Sequence, residues 1–480
     1  MNDLLVMKFG GTSMGSAGCI QAAARIIAQG RERRPVVAVV SAMSKITDLL
    51  LDSLRRAEGG DGPGLEANLQ KLQDRHTLTC RELLPPEKQE AALQAVHNLV
   101  AEFQRIANGV LMLGERPPRS VDEAIAIGER LSALLMAACL ESQGIRAVAV
   151  NGAEVIVTDA VFGSASPLME PTRDKARQNL LPWLEGGVIP VVTGFNGATV
   201  DGRPTTLGRG GSDFSASILA AALDAAELWI WTDVDGIMTA DPRLAPDAAV
   251  LDEVTYGEAA ELAYRGAKVL HPRTLAPLVE KQIPVWSKNS FAPGKPGTKI
   301  VPRLAAEEHG PRAVTSMTNV ALVSLEPASA VLSGTKAMAR ALEALSAANA
   351  EVLALSSSSY RQSFCFLVRK DELAAVLECL EATLSLELAH GYLKPIQVDE
   401  NVGLLSVVGE GMKGTPGLAG RIFTAISREN VNIISIAQGS SELTISIVVR
   451  REGLEKAVRA VHSECRIAEQ ARVRKQGERG

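Results

Sequence analysis

The chain has 480 residues, of which 46% are hydrophobic and 4% aromatic, and its formal net charge is −5. This length is typical of about two to four domains. The acidic balance argues against nucleic-acid and membrane-surface binding, and no apolar run approaches the ~18 residues that span a bilayer. The six cysteines are scattered without a C-x-x-C pair, which predicts reduced thiols in a cytoplasmic protein, with no disulfide framework and no metal site.

Aliphatic segments alternate with helical patterns over roughly the first 300 residues. The predicted strands are Leu4–Met7, Val36–Val40, Ala147–Val150, Ile189–Thr193, Leu228–Trp231 and Ile283–Trp286. The predicted helices are Ser16–Ala28, Ala124–Gln143, Ser212–Leu223 and His271–Glu280, and Leu65–Asn108 is predicted to be a helical insertion that covers the core. This alternation predicts an α/β fold with a mostly parallel sheet between helices.

After a connector around Val301–Val314, a shorter pattern occurs twice. The first copy has strands Val320–Leu325, Val352–Leu355 and Ser363–Val368, with helices through Lys336–Ala347 and from Asp371. The second has strands Val402–Val408, Ile433–Ala437 and Thr444–Val449, with helices through Leu418–Arg428 and from Leu454. The order is typical of βαββαβ, ferredoxin-like modules. We therefore expect an α/β domain over residues 1–305 and two modules over 315–395 and 400–475.

Two glycine-rich segments are candidate anion sites. Lys8-Phe9-Gly10-Gly11-Thr12-Ser13 lies between the first strand and the first helix, where glycines let backbone N–H groups approach a phosphate. Thr206–Asp213 has three glycines around Arg209, whose guanidinium can hold a carboxylate bidentately. The alternatives are a structural turn and a capped surface loop. The chain has no Walker A motif.

These segments resemble the aspartokinase branch of the amino-acid kinase family, and the resemblance covers essentially the whole chain. The further segments that carry it are Ser41–Thr47, Ile127–Arg130, Val192–Phe195, Trp231–Gly236, Asp241–Arg243 and Gly266–Pro272. The C-terminal repeats resemble the paired ACT domains of that family. The resemblance implies ATP-dependent phosphorylation of the side-chain carboxylate of L-aspartate to 4-phospho-L-aspartate, which begins the synthesis of lysine, threonine and methionine.

The resemblance also implies roles for individual residues. The implied nucleotide-binding residues are Lys8, Phe9, Gly10, Gly11, Thr232, Asp233, Met238, Asp241, Arg243, Lys268 and Val269. The implied substrate-binding residues are Ser41, Thr47, Glu129, Phe195, Arg209 and Ser212, and the implied catalytic residues are Lys8, Arg209 and Asp213. Mg²⁺ is expected to bridge the β- and γ-phosphates of ATP. Met238 stands where the family often has a tyrosine near the adenine, which implies altered adenine packing.

Glu129 is expected to hold the ammonium of aspartate; the alternative is a solvated helix glutamate. Its presence disfavours kinases whose substrate has an acylated amine, because a buried carboxylate would then lose its partner.

The segment Gly409–Gly414 fits the dinucleotide pattern G-x-G-x-x-G. However, the next predicted strand is followed by Gln438 and not by an acidic residue, and too few residues remain for a dinucleotide domain. We expect this loop to frame an amino-acid effector site with Gly411, Met412 and Gln438. The first repeat has Glu326–Ala330 in place of the loop and Ser357 opposite Gln438, so we expect at most one threonine or lysine site per chain. Exposed sheet edges predict a homodimer or homotetramer through these modules.

Two other functions are weighed against the aspartate kinase. A non-catalytic amino-acid sensor of the same fold would be expected to have lost Lys8, Arg209, Asp213 and Lys268, all of which are present. A kinase for another amino acid, such as glutamate, is disfavoured by the ACT pair and by Thr47 with Glu129.

Overall fold

The computed structural model describes residues 3–267, 270–304, 310–328, 333–358, 363–412, 414–465 and 467. The chain divides into two compact units. The first contains Met1–Ile237, Asp252–Tyr256 and Leu270–Arg303, and the second contains Met238–Leu251, Gly257–Val269 and Leu304–Gly480. Each unit is described by itself.

The secondary-structure elements are numbered in chain order over the described residues. The strands are β1 Leu5–Phe9, β2 Val36–Val40, β3 Ala147–Val150, β4 Val157–Thr158, β5 Ile189–Thr193, β6 Asn196–Thr199, β7 Pro204–Thr206, β8 Glu227–Thr232, β9 Glu253–Thr255, β10 Val285–Asn289, β11 Thr298–Val301, β12 Ala313–Met317, β13 Val320–Leu325, β14 Ala354–Ser357, β15 Phe364–Arg369, β16 Gln397–Asp399, β17 Val402–Val408, β18 Ile433–Gln438 and β19 Thr444–Arg450. The helices are α1 Ala17–Arg31, α2 Ile46–Glu58, α3 Gly62–Leu83, α4 Pro86–Leu113, α5 Pro118–Ile125, α6 Ile127–Ser142, α7 Met169–Glu185, α8 Gly211–Ala222, α9 Tyr256–Tyr264, α10 Pro272–Lys281, α11 Gly334–Ala347, α12 Leu373–Thr383, α13 Ser385–Ala389, α14 Leu418–Arg428 and α15 Leu454–Glu464.

The first unit is built on an eight-stranded sheet of the described residues, in the order β3-β5-β2-β1-β8-β10-β11-β9. Neighbouring strands are parallel except for the antiparallel pair of β10 and β11. Every residue of β1, β2 and β5 is buried, as expected for parallel strands covered on both faces. The predicted α/β fold with a mostly parallel sheet is confirmed.

The predicted insertion is helical and consists of α3 and α4. Its apolar side chains, among them Leu72 and Phe103, belong to the same buried cluster as strands β1 and β2. The insertion therefore enlarges the core of the first unit.

Several elements of this unit differ from the sequence-based expectation, among them the following three. The helix predicted over Ala124–Gln143 is divided at Ala126 into α5 and α6. Strand β1 continues past its predicted end at Met7 to Phe9, because Lys8 and Phe9 continue the parallel pairing with β2 and β8. Strand β10 likewise continues past Trp286 to Asn289.

The second unit contains two four-stranded antiparallel sheets of the described residues, β14-β15-β13-β16 and β12-β17-β19-β18. Helices α11 and α12 bury one face of the first sheet, and α14 and α15 bury one face of the second. Each module has the predicted β-α-β-β-α order and gains a fourth strand. That strand is β16 in the first module. In the second it is β12, which precedes the first module in the chain and pairs with β17.

Helix α9 directly follows strand β9 of the first unit's sheet in the chain, but from Gly257 onward it belongs to the second unit. Glu258 of α9 is buried and pairs with the buried Arg312 at 3.0 Å between Oε2 and Nη1. Its other oxygen accepts a hydrogen bond from the backbone N–H of Glu410, in the glycine loop of the second module, at 2.9 Å. Arg265 donates to the hydroxyl of Ser446 in β19 at 2.6 Å. Helix α9 is thus bonded to the second module by buried polar groups.

Among the described residues, no helix combines the length and the apolar composition that crossing a membrane requires.

Candidate active site

The predicted site residues of the first unit gather where parallel strands end. Strand β1 lies between β2 and β8 and is parallel to both. The later strands of the chain are therefore added on both sides of β1. Open α/β sheets bind ligands at such a point, outside the carboxyl ends of the strands. Strands β1, β2, β5, β8 and β10 all end at this edge.

Lys8 lies near this edge on β1, between β2 and β8. It is the fourth residue of β1, only 8% exposed, and its Nζ lies 2.5 Å from Oδ1 of Asp213 in the first turn of α8. A Cβ atom on Gly10 would lie 3.5 Å from this Nζ, and one on Gly11 would lie 3.1 Å from the carbonyl oxygen of Ala42. Gly10 therefore leaves space beside the Lys8 ammonium, and Gly11 permits the close approach of this turn to Ala42.

Glu129 is buried in the first turn of α6, with 3% of its surface exposed. Burial raises the pKa of its carboxyl to about 8, although the N–H of Ala42 and the charge of Lys8 act in the opposite direction. Within the described part of the chain its Oε2 has no hydrogen-bond partner. Gly128 permits the close packing, because a Cβ there would lie 3.0 Å from that of Ala42. A buried carboxylate with an unpaired oxygen is a fit for a cationic ligand group, so the solvated-glutamate alternative is wrong.

The segment from the end of β2 to the first turn of α2 contributes Ser41 and Thr47. The N–H of Ser41 donates to the carbonyl of Phe9 at 3.1 Å, and the N–H of Ser44 donates to Gly11 at 3.1 Å. Both bonds hold this segment against the glycine turn after β1. Thr47 is half-buried in the first turn of α2.

Phe195 and Ser212 approach each other at the ends of β5 and α8. Phe195 has a φ of 72°, and its N–H donates to the hydroxyl of Ser215 at 2.9 Å. A Cβ on Gly194 would lie only 2.7 Å from the Cβ of Ser212, so glycine is required for this approach. Arg209 is exposed between Gly208 and Gly210, whose φ values are 74° and 72°.

Thr232 and Asp233 lie at the end of β8, close to Ser290, which the sequence did not single out, and to Ser13 of the glycine turn. The Thr232 carbonyl accepts from the N–H of Ser290 at 2.9 Å and from its hydroxyl at 3.1 Å. The hydroxyls of Ser290 and Ser13 are hydrogen-bonded at 2.8 Å, and both side chains are buried. Ser290 thus joins the glycine turn to the end of β8. Its position directly after β10 becomes a signal only once the order of the strands is known.

The remaining nucleotide-binding predictions fall elsewhere in the chain. Met238, Asp241 and Arg243 belong to the second unit, where the Arg243 guanidinium donates to both carboxylate oxygens of Asp241. Lys268 and Val269 lie outside the described residues.

The predicted effector residues belong to the second module. The Gly411 carbonyl accepts from the N–H of Gly310 at 2.7 Å. Met412 is 4% exposed and its side chain lies in the module's core, so it can offer a ligand only backbone groups. Gln438 is the exposed last residue of β18, and Ser357 is the last residue of β14, so the two occupy equivalent positions. Ser357 also lines a cavity of about 290 Å³ in the first module, together with the ion pair of Glu326 and Lys394.

Comparison with known proteins agrees with this arrangement. Residues 3–289 match the model of the amino acid kinase family and residues 405–465 that of an ACT domain. The chain is 35% identical to bifunctional aspartokinase/homoserine dehydrogenase 1 of Arabidopsis thaliana, over 95% of this chain and 50% of that protein. The chain spans about half the length of this and other curated relatives that it matches.

Two crystal structures of E. coli aspartokinase III are similar over 96% of this chain and 99% of theirs. The complex with aspartate and ADP, in the R-state, is 30% identical with a TM-score of 0.81. The complex with lysine and aspartate, in the T-state, is 29% identical with a TM-score of 0.78. The family match, the full-length structural similarity and the arrangement of the sheet edge agree: the chain belongs to the amino acid kinase family and, within it, to the aspartokinases.

Proposed function

We propose that this chain transfers the γ-phosphoryl group of ATP to the side-chain carboxylate of L-aspartate, forming 4-phospho-L-aspartate as the first step of aspartate-family amino-acid biosynthesis. The observation that carries the proposal is the buried Glu129 close to the Lys8–Asp213 ion pair. It offers a carboxylate for an ammonium beside a cation for a phosphoryl group. The aspartate and ADP bound to E. coli aspartokinase III support this choice of ligands.

The reaction joins two anions, so its main difficulty is charge repulsion. The aspartate carboxylate is already ionised at neutral pH, and no general base is needed to activate it. Lys8 would neutralise charge on the transferring phosphoryl group, while Asp213 holds the Lys8 ammonium in place. Arg209 would grip a substrate carboxylate, and Ser41, Thr47, Phe195 and Ser212 would shape the aspartate pocket.

The nucleotide-binding residues that we propose in the first unit lie in the glycine turn after β1 and at the end of β8. Phe9, Gly10 and Gly11 would bring backbone groups to the phosphates, and Thr232 and Asp233 would bind the nucleotide from the end of β8. Met238, Asp241, Arg243, Lys268 and Val269 keep the nucleotide roles that the family resemblance implies. No three His, Cys, Asp or Glu side chains of the described residues are grouped as metal ligands. Mg²⁺ would therefore be held mainly by phosphate oxygens and water, which is usual for this ion.

The experiment is a trapping assay with MgATP, L-aspartate and hydroxylamine, in which an acyl phosphate gives a hydroxamate. We expect aspartate-dependent hydroxamate and ADP, with no comparable product from glutamate or acetylglutamate. An inactive protein that binds amino acids would favour the sensor function, and a preference for glutamate would favour the other kinase.

Regulation and assembly are part of the same proposal. The second module, with Gly411, Met412 and Gln438, would bind at most one threonine or lysine per chain, and the lysine bound to E. coli aspartokinase III in its T-state supports an amino-acid effector. The ACT modules would pair their sheet edges in a homodimer or homotetramer. We place the protein in the cytoplasm, with a catalytic domain over residues 1–305 and regulatory domains over 315–395 and 400–475.

A further inference from the structure

Asp122 is a buried carboxylate of the first unit that the proposed reaction does not use. It lies in α5 and is 1% exposed. Its Oδ2 accepts from the backbone N–H groups of Gly163 at 2.8 Å and Thr206 at 2.9 Å, and its Oδ1 accepts from the Thr206 hydroxyl at 2.7 Å. One side chain therefore joins α5 to two separate segments of backbone.

Both of these segments adjoin the loop that carries Arg209. Thr206 ends β7, and Arg209 follows three residues later. Gly208 faces the other segment, because a Cβ there would lie 3.1 Å from the carbonyl oxygen of Gly163. Gly208 and Gly210 have positive φ values, and such glycines have wide conformational freedom unless neighbouring groups restrain them. Asp122 supplies that restraint at the base of the loop.

Asp122 is also connected through the chain to the helix of Glu129. Helix α5 ends at Ile125 and α6 begins at Ile127, so only one residue separates the helix of Asp122 from that of Glu129. The same carboxylate therefore links the segment that holds Glu129 to the segment that presents Arg209. Lys8 lies on β1, which Asp122 does not contact through these bonds.

We propose that Asp122 is a positioning residue for aspartate: it sets the separation between Glu129, which binds the ammonium, and Arg209, which binds a carboxylate. The proposal rests on the proposed function. The hydrogen bonds between Asp122 and Thr206 hold α5 to β7.

Three substitutions separate hydrogen bonding from charge. In Asp122→Asn, the amide oxygen can accept from both N–H groups and the amide nitrogen can donate to the Thr206 hydroxyl, which reverses its role. Asp122→Ala loses all three bonds. Thr206→Val loses only the hydroxyl bond and is the milder variant should Asp122→Ala not fold. Thr172→Val is the matched control, because the buried Thr172 hydroxyl bonds to the backbone of Val157 and to no residue of the loop that carries Arg209.

Steady-state kinetics of the full chain give the main readout. We expect Asp122→Ala to raise the KM for aspartate roughly 10- to 100-fold, because small displacements of positioning groups have effects of that size. The KM for ATP should stay within about twofold. Thr206→Val should raise the KM for aspartate roughly 2- to 10-fold, as expected for one lost hydrogen bond, and Asp122→Asn should restore it to near the wild-type value.

Amide hydrogen exchange over residues 207–211 gives a readout that does not depend on activity. It should accelerate in Asp122→Ala and Thr206→Val but not in Thr172→Val. An unchanged KM for aspartate, an equal rise in both KM values, or an Asn variant as impaired as the Ala variant would overturn the proposal. A wild-type protein without aspartate kinase activity would instead overturn the proposed function, and slow exchange of the loop in Asp122→Ala would then overturn the positioning role separately.

Discussion

The elevated pKa of Glu129 predicts that aspartate binding depends steeply on pH. With a pKa of about 8, this carboxyl is mostly protonated at pH 7 and must ionise before it can pair with an ammonium. One pH unit below the pKa, ionisation costs about 1.4 kcal/mol, equivalent to a tenfold change in affinity. We therefore expect the KM for aspartate to fall about tenfold between pH 6.5 and 7.5 and to level off above pH 8, with much less change in the KM for ATP.

The mechanism also predicts a released proton. Calorimetric titration of aspartate at pH 7, in buffers of different ionisation enthalpy, should show close to one proton released per site. Glu129→Gln should bind aspartate weakly with no pH slope, whereas the exposed Asp48→Asn should behave like the wild type. A wild-type KM that is flat from pH 6.5 to 8, or a Gln variant with the original slope, would refute the role of Glu129.

Four further measurements test other parts of the structure. Lys8→Ala should lower kcat by roughly 10²- to 10³-fold, as for loss of a group that stabilises transition-state charge; an effect confined to the KM for ATP would contradict this role. Ser290→Ala should raise the KM for ATP by roughly 2- to 10-fold through loss of its hydroxyl bonds, with little change in the KM for aspartate. Arg312→Met should destabilise the protein to urea by about 3–5 kcal/mol, because Glu258 is left buried without this partner, and Glu258→Met in the same chain should recover much of the loss. Calorimetry should find at most one threonine or lysine per chain, lost in Gln438→Ala; two sites would show that the first module also binds.

Regular elements of the fold were largely predictable because their signals are local. Strands Val36–Val40, Ile189–Thr193 and Val402–Val408 have the predicted bounds, since each is an aliphatic run beside turn or polar residues. The division of the helix at Ala126 was not predictable, because the sequence has no helix-breaking residue there and Ala126 itself keeps helical dihedral angles. The extension of β1 through Lys8 depends on pairing with β2 and with β8, and β8 is distant in the chain.

The candidate site was predicted from glycine motifs and family resemblance. The structure adds the burial of each side chain and the contacts between residues that are distant in the chain. It brings Lys8 to Asp213 and buries Glu129, which the sequence alone left open. Ser290 was missed because a serine after a strand carries no distinctive pattern by itself; its role emerges only from the neighbouring ends of β1 and β8. Met412 shows the opposite case, since a residue predicted for ligand contact has its side chain in the core.

The order of strands in the second module has a consequence for how the chain folds during synthesis. Strand β12 leaves the ribosome before the whole first module, yet its partner β17 begins only at Val402. Pairing over such a separation is slow and leaves an open strand edge in the meantime. The first module can complete its own sheet during that interval, because all four of its strands are consecutive. A nascent chain arrested after β16 would therefore carry one complete module and the unpaired strand β12. During this interval a second nascent chain could pair its own strand with β12.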